Sequence, residues 1–297
     1  MTFNIIGFIL PEITIAIGIC SVILVNSLAK KSTPGLIHGF ILLILSLALF
    51  FSFVSLEIPN STIFDGHYAI DSFGTNLKII ALIAAMLVHL ASVKSKQNIK
   101  NEIFLIQLFA TLGVLILCSA QNLLTVYLGL ETLTLSMYGI VASNRNSIES
   151  SESAMKFFVL GAIASAIFLY GISILYGVTG TLSLDTVKGS LMLDSLEMRV
   201  AVAFIACGII FKFGAFPFHS WVPDSYQGSN TTAAIYISSV PKIGAFALIA
   251  RLFLDALNVI LLTFLLLRKF LNSSNADENR VISYLKLFFL MIFSESP

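Results

Sequence analysis

The chain has 297 residues and a formal net charge of +1, and 57% of its residues are hydrophobic while 11% are charged. Soluble domains carry about 25% charged residues, so this composition excludes an ordinary soluble enzyme. The near-zero net charge gives no indication of a nucleic-acid partner or an acidic partner. Because one membrane span needs about 20 mostly apolar residues, we predict an all-α, polytopic transmembrane helical bundle that crosses the lipid bilayer eight or nine times.

Apolar runs separated by polar loops give the order of the predicted spans. They cover about residues 4–26, 35–55, 73–92, 103–120, 122–142, 154–178, 200–218 and 231–252, and a shorter apolar run follows at 254–267. The loops after the first, third and fifth spans carry the basic residues Lys30, Lys31, Lys94, Lys96, Lys100 and Arg145. Basic loops stay on the cytoplasmic side of a membrane, so we expect the N-terminus outside.

Three ionisable residues fall well inside predicted spans: Glu131 in the fifth, Lys212 in the seventh and Lys242 in the eighth. Glu131 lies about ten residues from either end of its span, roughly 15 Å deep at 1.5 Å per residue. A charge at that depth costs about 2.5–3.5 kcal/mol, so these side chains are expected to face a protein interior or a hydrated cavity. We predict that Glu131 pairs with Lys212.

These residue types suit proton transfer. Burial favours the neutral amine of a lysine, and a nearby carboxylate favours the charged ammonium. Moving the carboxylate away from the lysine would therefore release a proton. The alternative is a fixed ion pair that only locks two helices together.

Prolines near both lysines predict breaks in their helices. Pro217 follows Lys212 by five residues, and its ring removes a backbone hydrogen bond and frees a carbonyl one turn back, near Phe213. Pro241 directly precedes Lys242 and has the same effect in the eighth span. Broken membrane helices are tolerated where the freed groups meet protein or water, and transporters place ion sites there.

Several further polar and aromatic residues are assigned from their place in the spans. Lys156, near the start of the sixth span, either extends to the membrane surface or turns inward as a step between Glu131 and the two lysines. His219, at the cytoplasmic end of the seventh span, either exchanges protons with water or caps the chain by hydrogen bonding. Trp221 is expected at the membrane interface. Glu12 is placed either at a local helix N-terminus or at the interface.

Three motifs carry a family resemblance. Residues 211–224 read Phe-Lys-Phe-Gly-Ala-Phe-Pro-Phe-His-Ser-Trp-Val-Pro-Asp, residues 240–242 read Val-Pro-Lys, and residues 130–132 read Leu-Glu-Thr. Together they resemble the antiporter-like membrane subunits of respiratory complex I. Residues 127–139 and 155–161 are similar to the N subunits of bacterial NADH-quinone oxidoreductases, which are equivalent to mitochondrial subunit 2.

The resemblance, which covers about residues 5–255, implies roles for the charged residues. Glu131 matches the family's glutamate of the fifth span, Lys212 the lysine of its broken seventh helix, and Lys242 the central lysine of its eighth helix. Lys156 matches a lysine of the sixth span. Together they would form a hydrated proton half-channel driven by quinone chemistry elsewhere in the complex.

The resemblance also implies partners and a location. The chain would be a subunit of NADH:quinone oxidoreductase, in a hetero-oligomer with other membrane subunits of complex I. It would lie in the bacterial inner membrane or, alternatively, in the mitochondrial inner membrane. FMN, iron–sulfur clusters and quinone would belong to partner subunits. This chain would carry no cofactor and no redox chemistry, since it has no dinucleotide fingerprint and no cluster-type cysteine spacing.

The resemblance divides the chain into three parts. Family members have about fourteen spans built from two inverted repeats. Here a three-span segment at 1–100 would precede the first repeat, with its broken seventh helix, at 101–253. A short apolar run and an atypical tail would follow at 254–297, so the chain would be C-terminally truncated. Residues 228–232 lack a proline that the family often has after the Pro-Asp turn.

Two other functions fit the same residues. The first is a stand-alone cation/proton antiporter, which would transport ions without redox partners. The second is a truncated structural or non-functional fragment that only scaffolds neighbouring subunits.

Overall fold

The computed structural model of the protein describes residues 9–28, 34–94, 101–144, 147–190, 195–215 and 218–252. Two features predicted from the sequence, the proline break at Pro217 and the apolar run with its tail at 254–297, lie outside these residues. The described chain is built almost entirely of helices, with one small β-hairpin.

The elements confirm the predicted all-α helical bundle. In chain order they are α1 (Leu10–Leu28), α2 (Pro34–Ser55), β1 (Ser61–Ile63), β2 (Tyr68–Ile70), α3 (Ser72–Lys94), α4 (Asn101–Ser119), α5 (Leu123–Val141), α6 (Ile148–Thr179), α7 (Leu184–Ser190), α8 (Leu196–Phe213), α9 (Trp221–Gly228) and α10 (Thr231–Ile249). Seven of the described helices, α1 to α6 and α10, are long and apolar enough to cross a membrane. Helix α8 corresponds to the predicted seventh span and packs against α6 and α10.

Side-chain caps explain why two helices begin earlier than the apolar runs predict. The Ser147 hydroxyl accepts a hydrogen bond from the N–H of Ser150 (3.2 Å) and starts α6 well before residue 154. The Ser195 hydroxyl accepts one from the N–H of Met198 (3.3 Å) and starts α8 before residue 200. Such caps satisfy backbone donors that the first helical turn leaves free.

A β-hairpin occupies part of the polar loop predicted after the second span. Strands β1 and β2 pair antiparallel and have three residues each, too few to show the alternation by which strands are predicted. Tyr68 forms an isolated bridge with Ala120, and Asn122 forms one with Ser183. The hairpin and the loops that follow α4 and α6 therefore meet at one end of the bundle, called the hairpin end below.

Helix α9 lies at the opposite end, where it packs against α6; this end is called the α9 end below. Helix α1 begins at the hairpin end, because Glu12 in its first turn contacts Tyr68 of the hairpin. Helices that run alternately up and down place the C-terminal ends of α1, α3 and α5 at the α9 end. In the sequence, the basic residues lie at or just after the ends of these three helices.

Helix α4 forms the centre of the bundle and contacts α1, α3, α5 and α10. A Cβ atom on Gly113 would lie only 2.7 Å from the backbone nitrogen of Leu133, so glycine lets α4 and α5 approach closely. Small residues serve this purpose between membrane helices, where close packing replaces the hydrophobic effect as the driving force. The close approach holds α5, which carries Glu131, firmly against the core.

Candidate functional site

Helix α8 breaks off inside the bundle. It ends at Phe213, and Gly214 then adopts a left-handed conformation with φ of 70°. A Cβ atom at Gly214 would lie 2.5 Å from Cγ2 of Val222, so both the backbone angle and the available space require glycine. The chain becomes helical again at Trp221, the first residue of α9. The predicted broken seventh helix is therefore present.

Trp221 fixes α9 to the end of α8. Its indole N–H donates a hydrogen bond to the carbonyl oxygen of Phe211 (2.9 Å), and its ring stacks on Phe157 with the ring centroids 4.4 Å apart. The side chain is only 1% exposed. The prediction that Trp221 lies at the membrane interface is therefore wrong, because its hydrogen-bond partner is a carbonyl near the end of a broken helix.

Lys242 of α10 caps the end of α8. Its ammonium donates a hydrogen bond to the carbonyl oxygen of Phe213, and it lies 5.2 Å from the centroid of the Trp221 ring. The last carbonyls of a helix lack partners within the helix, and a positive charge is favourable at that end of the helix dipole. The structure thus places a lysine on the carbonyl that the sequence predicts to be free.

Lys212 and Glu131 face different immediate partners. The Lys212 ammonium donates a hydrogen bond to the hydroxyl of Thr134 (2.7 Å), which in turn donates to the carbonyl of Leu130 (2.6 Å). Glu131 accepts a hydrogen bond from the hydroxyl of Ser165 on α6 (2.7 Å). Thr134 follows Glu131 by nearly one turn of α5, so both polar groups project from the same face of the helix.

The predicted direct ion pair between Glu131 and Lys212 is not formed. Within the described part of the chain, no cationic nitrogen lies within 4.0 Å of the Glu131 carboxylate. The physical reason is that Thr134 and Ser165 supply closer neutral partners for the two charges. Because Thr134 contacts Lys212 and shares a face of α5 with Glu131, the carboxylate lies near the ammonium without bonding to it.

A cavity of about 10 Å³ lies beside the Lys212 ammonium. Its wall includes Thr134, Trp221 and Pro241, the neighbour of Lys242 in the chain. A volume of this size holds about one water molecule, which needs two or more polar partners to be stable there. The cavity therefore lies between Lys212 and the residues that surround Lys242.

Lys156 and His219 lie at the α9 end. The Lys156 ammonium pairs with Glu152 (2.8 Å) and with Asp224 of α9 (3.3 Å), and its side chain is 50% exposed. This arrangement matches the surface interpretation of Lys156, and the structure does not bring it into contact with Glu131. His219 is exposed in the segment between α8 and α9, and its backbone carbonyl accepts a hydrogen bond from Val222 (3.0 Å).

Sequence reasoning missed several polar residues. Thr134 and Ser165 give no signal of their own, because hydroxyl residues are common in membrane helices. Lys78, by contrast, lies within the third predicted span and offers the same signal as Lys212. Arg251 is 2% exposed and pairs with Asp71 at 2.7 Å. Both missed cations lie at the hairpin end, at the ends of their spans rather than in the middle.

Histidine, cysteine and acidic side chains are the usual ligands of protein-bound metal ions. In residues 9–252, apart from the gaps in the described ranges, no group of three His, Cys, Asp or Glu side chains is arranged to hold a metal ion. Cys118 and Cys207 are buried, while Cys20 is exposed on the outside of the bundle.

Known proteins resemble this chain over most of its length. NADH-quinone oxidoreductase subunit N from Ruthia magnifica subsp. Calyptogena magnifica is 36% identical over 258 residues, which are 84% of this chain and 53% of that protein. The chain spans about half the length of the curated relatives it matches.

Solved structures share the fold. A chain in the structure of respiratory complex I from Thermus thermophilus with bound aureothin has a TM-score of 0.72 at 28% identity, covering 95% of this chain and 62% of its own. A chain of the Mrp complex from Dietzia sp. DQ12-45-1b has a TM-score of 0.72 at 16% identity, covering 97% and 58%. At that lower identity the likeness concerns the fold alone.

The family match includes the whole candidate site. The family described as "NADH:quinone oxidoreductase/Mrp antiporter, TM" matches residues 120–273, which are more than half of the chain and contain Glu131, Lys212 and Lys242. The resemblance predicted from the motifs is confirmed, and the chain belongs to the NADH:quinone oxidoreductase/Mrp antiporter transmembrane family.

Proposed function

We propose that the chain is a membrane subunit of a proton-pumping NADH:quinone oxidoreductase, in which it forms a proton half-channel coupled to electron transfer from NADH to quinone. The observation that supports this most directly is the connection of the Lys212 ammonium to the Thr134 hydroxyl and to a water-sized cavity. An ammonium inside an apolar bundle is costly. Here it faces groups that can pass on a proton, and a carboxylate that acts on it without direct contact.

The proposed relay consists of Glu131, Lys212, the cavity water and Lys242. When the Glu131 carboxylate turns toward Lys212, it stabilises the ammonium; when it stays with Ser165, burial favours the neutral amine. The proton that leaves Lys212 passes through water in the cavity. A neutral Lys242 amine that accepts it becomes an ammonium, which the carbonyl of Phe213 stabilises.

Lys156 and His219 would act at the aqueous side of this relay. His219 is exposed at the α9 end and has a side chain suited to exchanging protons near neutral pH. Lys156 would contribute through its ion pair with Asp224, which ties α6 to the helix that carries Trp221. Neither residue is proposed to carry protons through the interior.

The proposal includes partners and a location. The chain would assemble with other membrane subunits of the complex in the bacterial inner membrane, with the mitochondrial inner membrane as the alternative. FMN, the iron–sulfur clusters and the quinone site would belong to those partners.

The proposal is tested in the assembled complex by measuring protons translocated per electron. We expect Lys212→Met and Glu131→Gln to lower this ratio, because each removes a titratable group from the relay. Glu57→Gln is the control, since Glu57 is exposed beyond the end of α2. An unchanged number of protons per electron in both Lys212→Met and Glu131→Gln would contradict the proposed relay.

A second candidate is a stand-alone cation/proton antiporter, which the family's shared description with the Mrp antiporters favours. The purified chain in liposomes separates the two functions. Cation-driven proton movement without redox partners would support the antiporter. Absence of transport, together with failure to co-purify with an NADH-oxidising complex, would leave a structural fragment.

A further inference from the structure

A second group of buried charges lies at the hairpin end, away from the relay. The Lys78 ammonium of α3 is 2.8 Å from Oε1 of Glu12 in α1. The Tyr68 hydroxyl of β2 donates a hydrogen bond to the same Oε1 (2.7 Å) and accepts one from Lys78 (2.6 Å). Glu12, Tyr68 and Lys78 thus form a closed triangle of hydrogen bonds, called the Glu12 triad below.

The Glu12 triad is buried and incompletely satisfied. The side chains of Lys78 and Glu12 are 6% and 7% exposed. Among the described residues, Oε2 of Glu12 has no hydrogen-bond partner although it is buried. An unsatisfied oxygen of this kind costs about 1–3 kcal/mol and requires an explanation. It is also a place where an additional proton can bind.

Other polar groups lie near the Glu12 triad, just before α3, on α4 and just after α10. The backbone carbonyl of Cys118 on α4 accepts a hydrogen bond from Arg251, which also pairs with Asp71. Burial and the neighbouring Glu12 carboxylate raise the pKa of the Tyr68 phenol well above its usual value. Tyr68 therefore keeps its hydroxyl proton and remains a donor to Glu12.

The neighbouring pair of Asp71 and Arg251 provides an internal comparison. Arg251 donates to Asp71 (2.7 Å) and to the carbonyl of Cys118 (2.7 Å). A guanidinium does not lose its proton in proteins, so this pair is fixed. Lys78 can lose its proton, and the Tyr68 hydroxyl both accepts and donates. The hairpin end therefore holds one ion pair that cannot exchange a proton and one that can.

From this arrangement we propose that Glu12, Tyr68 and Lys78 form a second proton-binding site of the chain. Within the site a proton moves from the Lys78 ammonium to the Tyr68 oxygen as the Tyr68 proton moves to Glu12. This leaves an amine, an intact hydroxyl and a carboxylic acid, and the total number of protons is unchanged. When Lys78 keeps its proton, Glu12 is a carboxylate, and a proton from the hairpin side can then bind at its unpartnered Oε2, so that the site gains one proton. The inference rests on the proposed proton-handling function of the chain.

The test is pH-dependent infrared difference spectroscopy of the full chain in lipid nanodiscs. Spectra are recorded over the pH range in which circular dichroism shows constant helix content. We expect acidification to produce a narrow carbonyl band of a protonated acid, at higher frequency than the bands of hydrated acids, and Glu12→Gln to remove it. Glu57→Gln, which changes an exposed acid, should change only the hydrated acids.

Tyr68→Phe keeps the aromatic ring over Lys78 but removes the hydroxyl, so it should move the pH midpoint of the narrow band. Identical difference spectra for the wild type and Glu12→Gln would overturn the proposal. If Glu12→Gln does not fold, an unchanged pH midpoint in Tyr68→Phe would overturn it instead. The infrared measurement does not depend on proton transport, so it is independent of the test of the relay. A Glu12 band together with an unchanged proton-to-electron ratio in both Lys212→Met and Glu131→Gln would support this site and contradict the relay. Absence of the Glu12 band with a lowered ratio in those variants would support the relay and contradict this site.

Discussion

The ammonium of Lys242 is hydrogen-bonded to the backbone carbonyl of Phe213, the last residue of α8. Lys212 directly precedes Phe213 in the chain. One lysine therefore holds the peptide next to the other lysine, and a change in the charge of Lys242 acts on the helix end that positions Lys212. The two lysines are thus linked through the backbone, and Pro241, the neighbour of Lys242, lines the cavity beside Lys212.

Replacing Lys242 by methionine is expected to loosen the end of α8. The Phe213 carbonyl would lose its charged donor, which should lower the free energy of unfolding by about 1–3 kcal/mol. The measurement is thermal unfolding of the full chain in detergent. Ser238→Ala is the matched control, because Ser238 is exposed on the same helix and bonds only to the carbonyl of Ile235 in its own turn. Equal unfolding temperatures for the two variants would show that Lys242 does not cap α8.

Replacing Gly214 by alanine is expected to destabilise the helix break. Its φ of 70° is unfavourable for alanine by about 1–2 kcal/mol, and the new Cβ atom would collide with Val222. Gly177→Ala, in the last turns of α6, is the control, because nothing lies within 4 Å of the added methyl group. In a helix that change is neutral or stabilising by up to about 1 kcal/mol. The unfolding temperature should therefore fall for Gly214→Ala and stay unchanged or rise for Gly177→Ala, and a similar fall in both would contradict the geometry.

The sequence predicts the bundle well because its signal is simple. Long apolar runs identify seven of the described membrane helices, and Pro217, five residues after Lys212, predicts the broken one. The β-hairpin is not predictable in this way, because strands of three residues lack a periodic pattern. The start of α6 is missed because Ser147 and the polar first turn extend the helix beyond its apolar part.

The candidate site is predicted less completely than the fold. A charge inside an apolar run is visible in the sequence, so Glu131, Lys212 and Lys242 are found. Their partners are not, because neutral Thr134 and Ser165 replace the expected ion pair between Glu131 and Lys212. A sequence argument based on charge pairs Glu131 with the oppositely charged Lys212. The packing of the helices, however, determines which side chains are close enough to form a hydrogen bond.

Removing the Thr134 hydroxyl is expected to slow proton transfer from Lys212. Thr134→Val has nearly the same shape, and it deletes one hydrogen bond worth about 1 kcal/mol, which corresponds to roughly a fivefold change in rate. Thr132→Val is a close control, because Thr132 lies on the same helix and its hydroxyl bonds to the carbonyl of Leu128 in its own helix (2.8 Å). Proton translocation and NADH oxidation are measured in the assembled complex. If Thr132→Val lowers the proton-to-electron ratio as much as Thr134→Val does, the hydroxyl at residue 134 has no special role.

Neutralising Asp71 is expected to destabilise the hairpin end far more than breaking a surface pair at the α9 end. Asp71→Asn would leave the Arg251 guanidinium, which is 2% exposed, without its carboxylate. An uncompensated buried charge costs about 3–5 kcal/mol, and the partial exposure of Asp71 places the expected loss near the lower value. Glu152→Gln breaks the exposed pair with Lys156 and should change stability far less, because water screens an exposed ion pair. The measurement is thermal unfolding of both variants in detergent. Equal losses of stability would mean that water screens Arg251 as effectively as it screens Lys156.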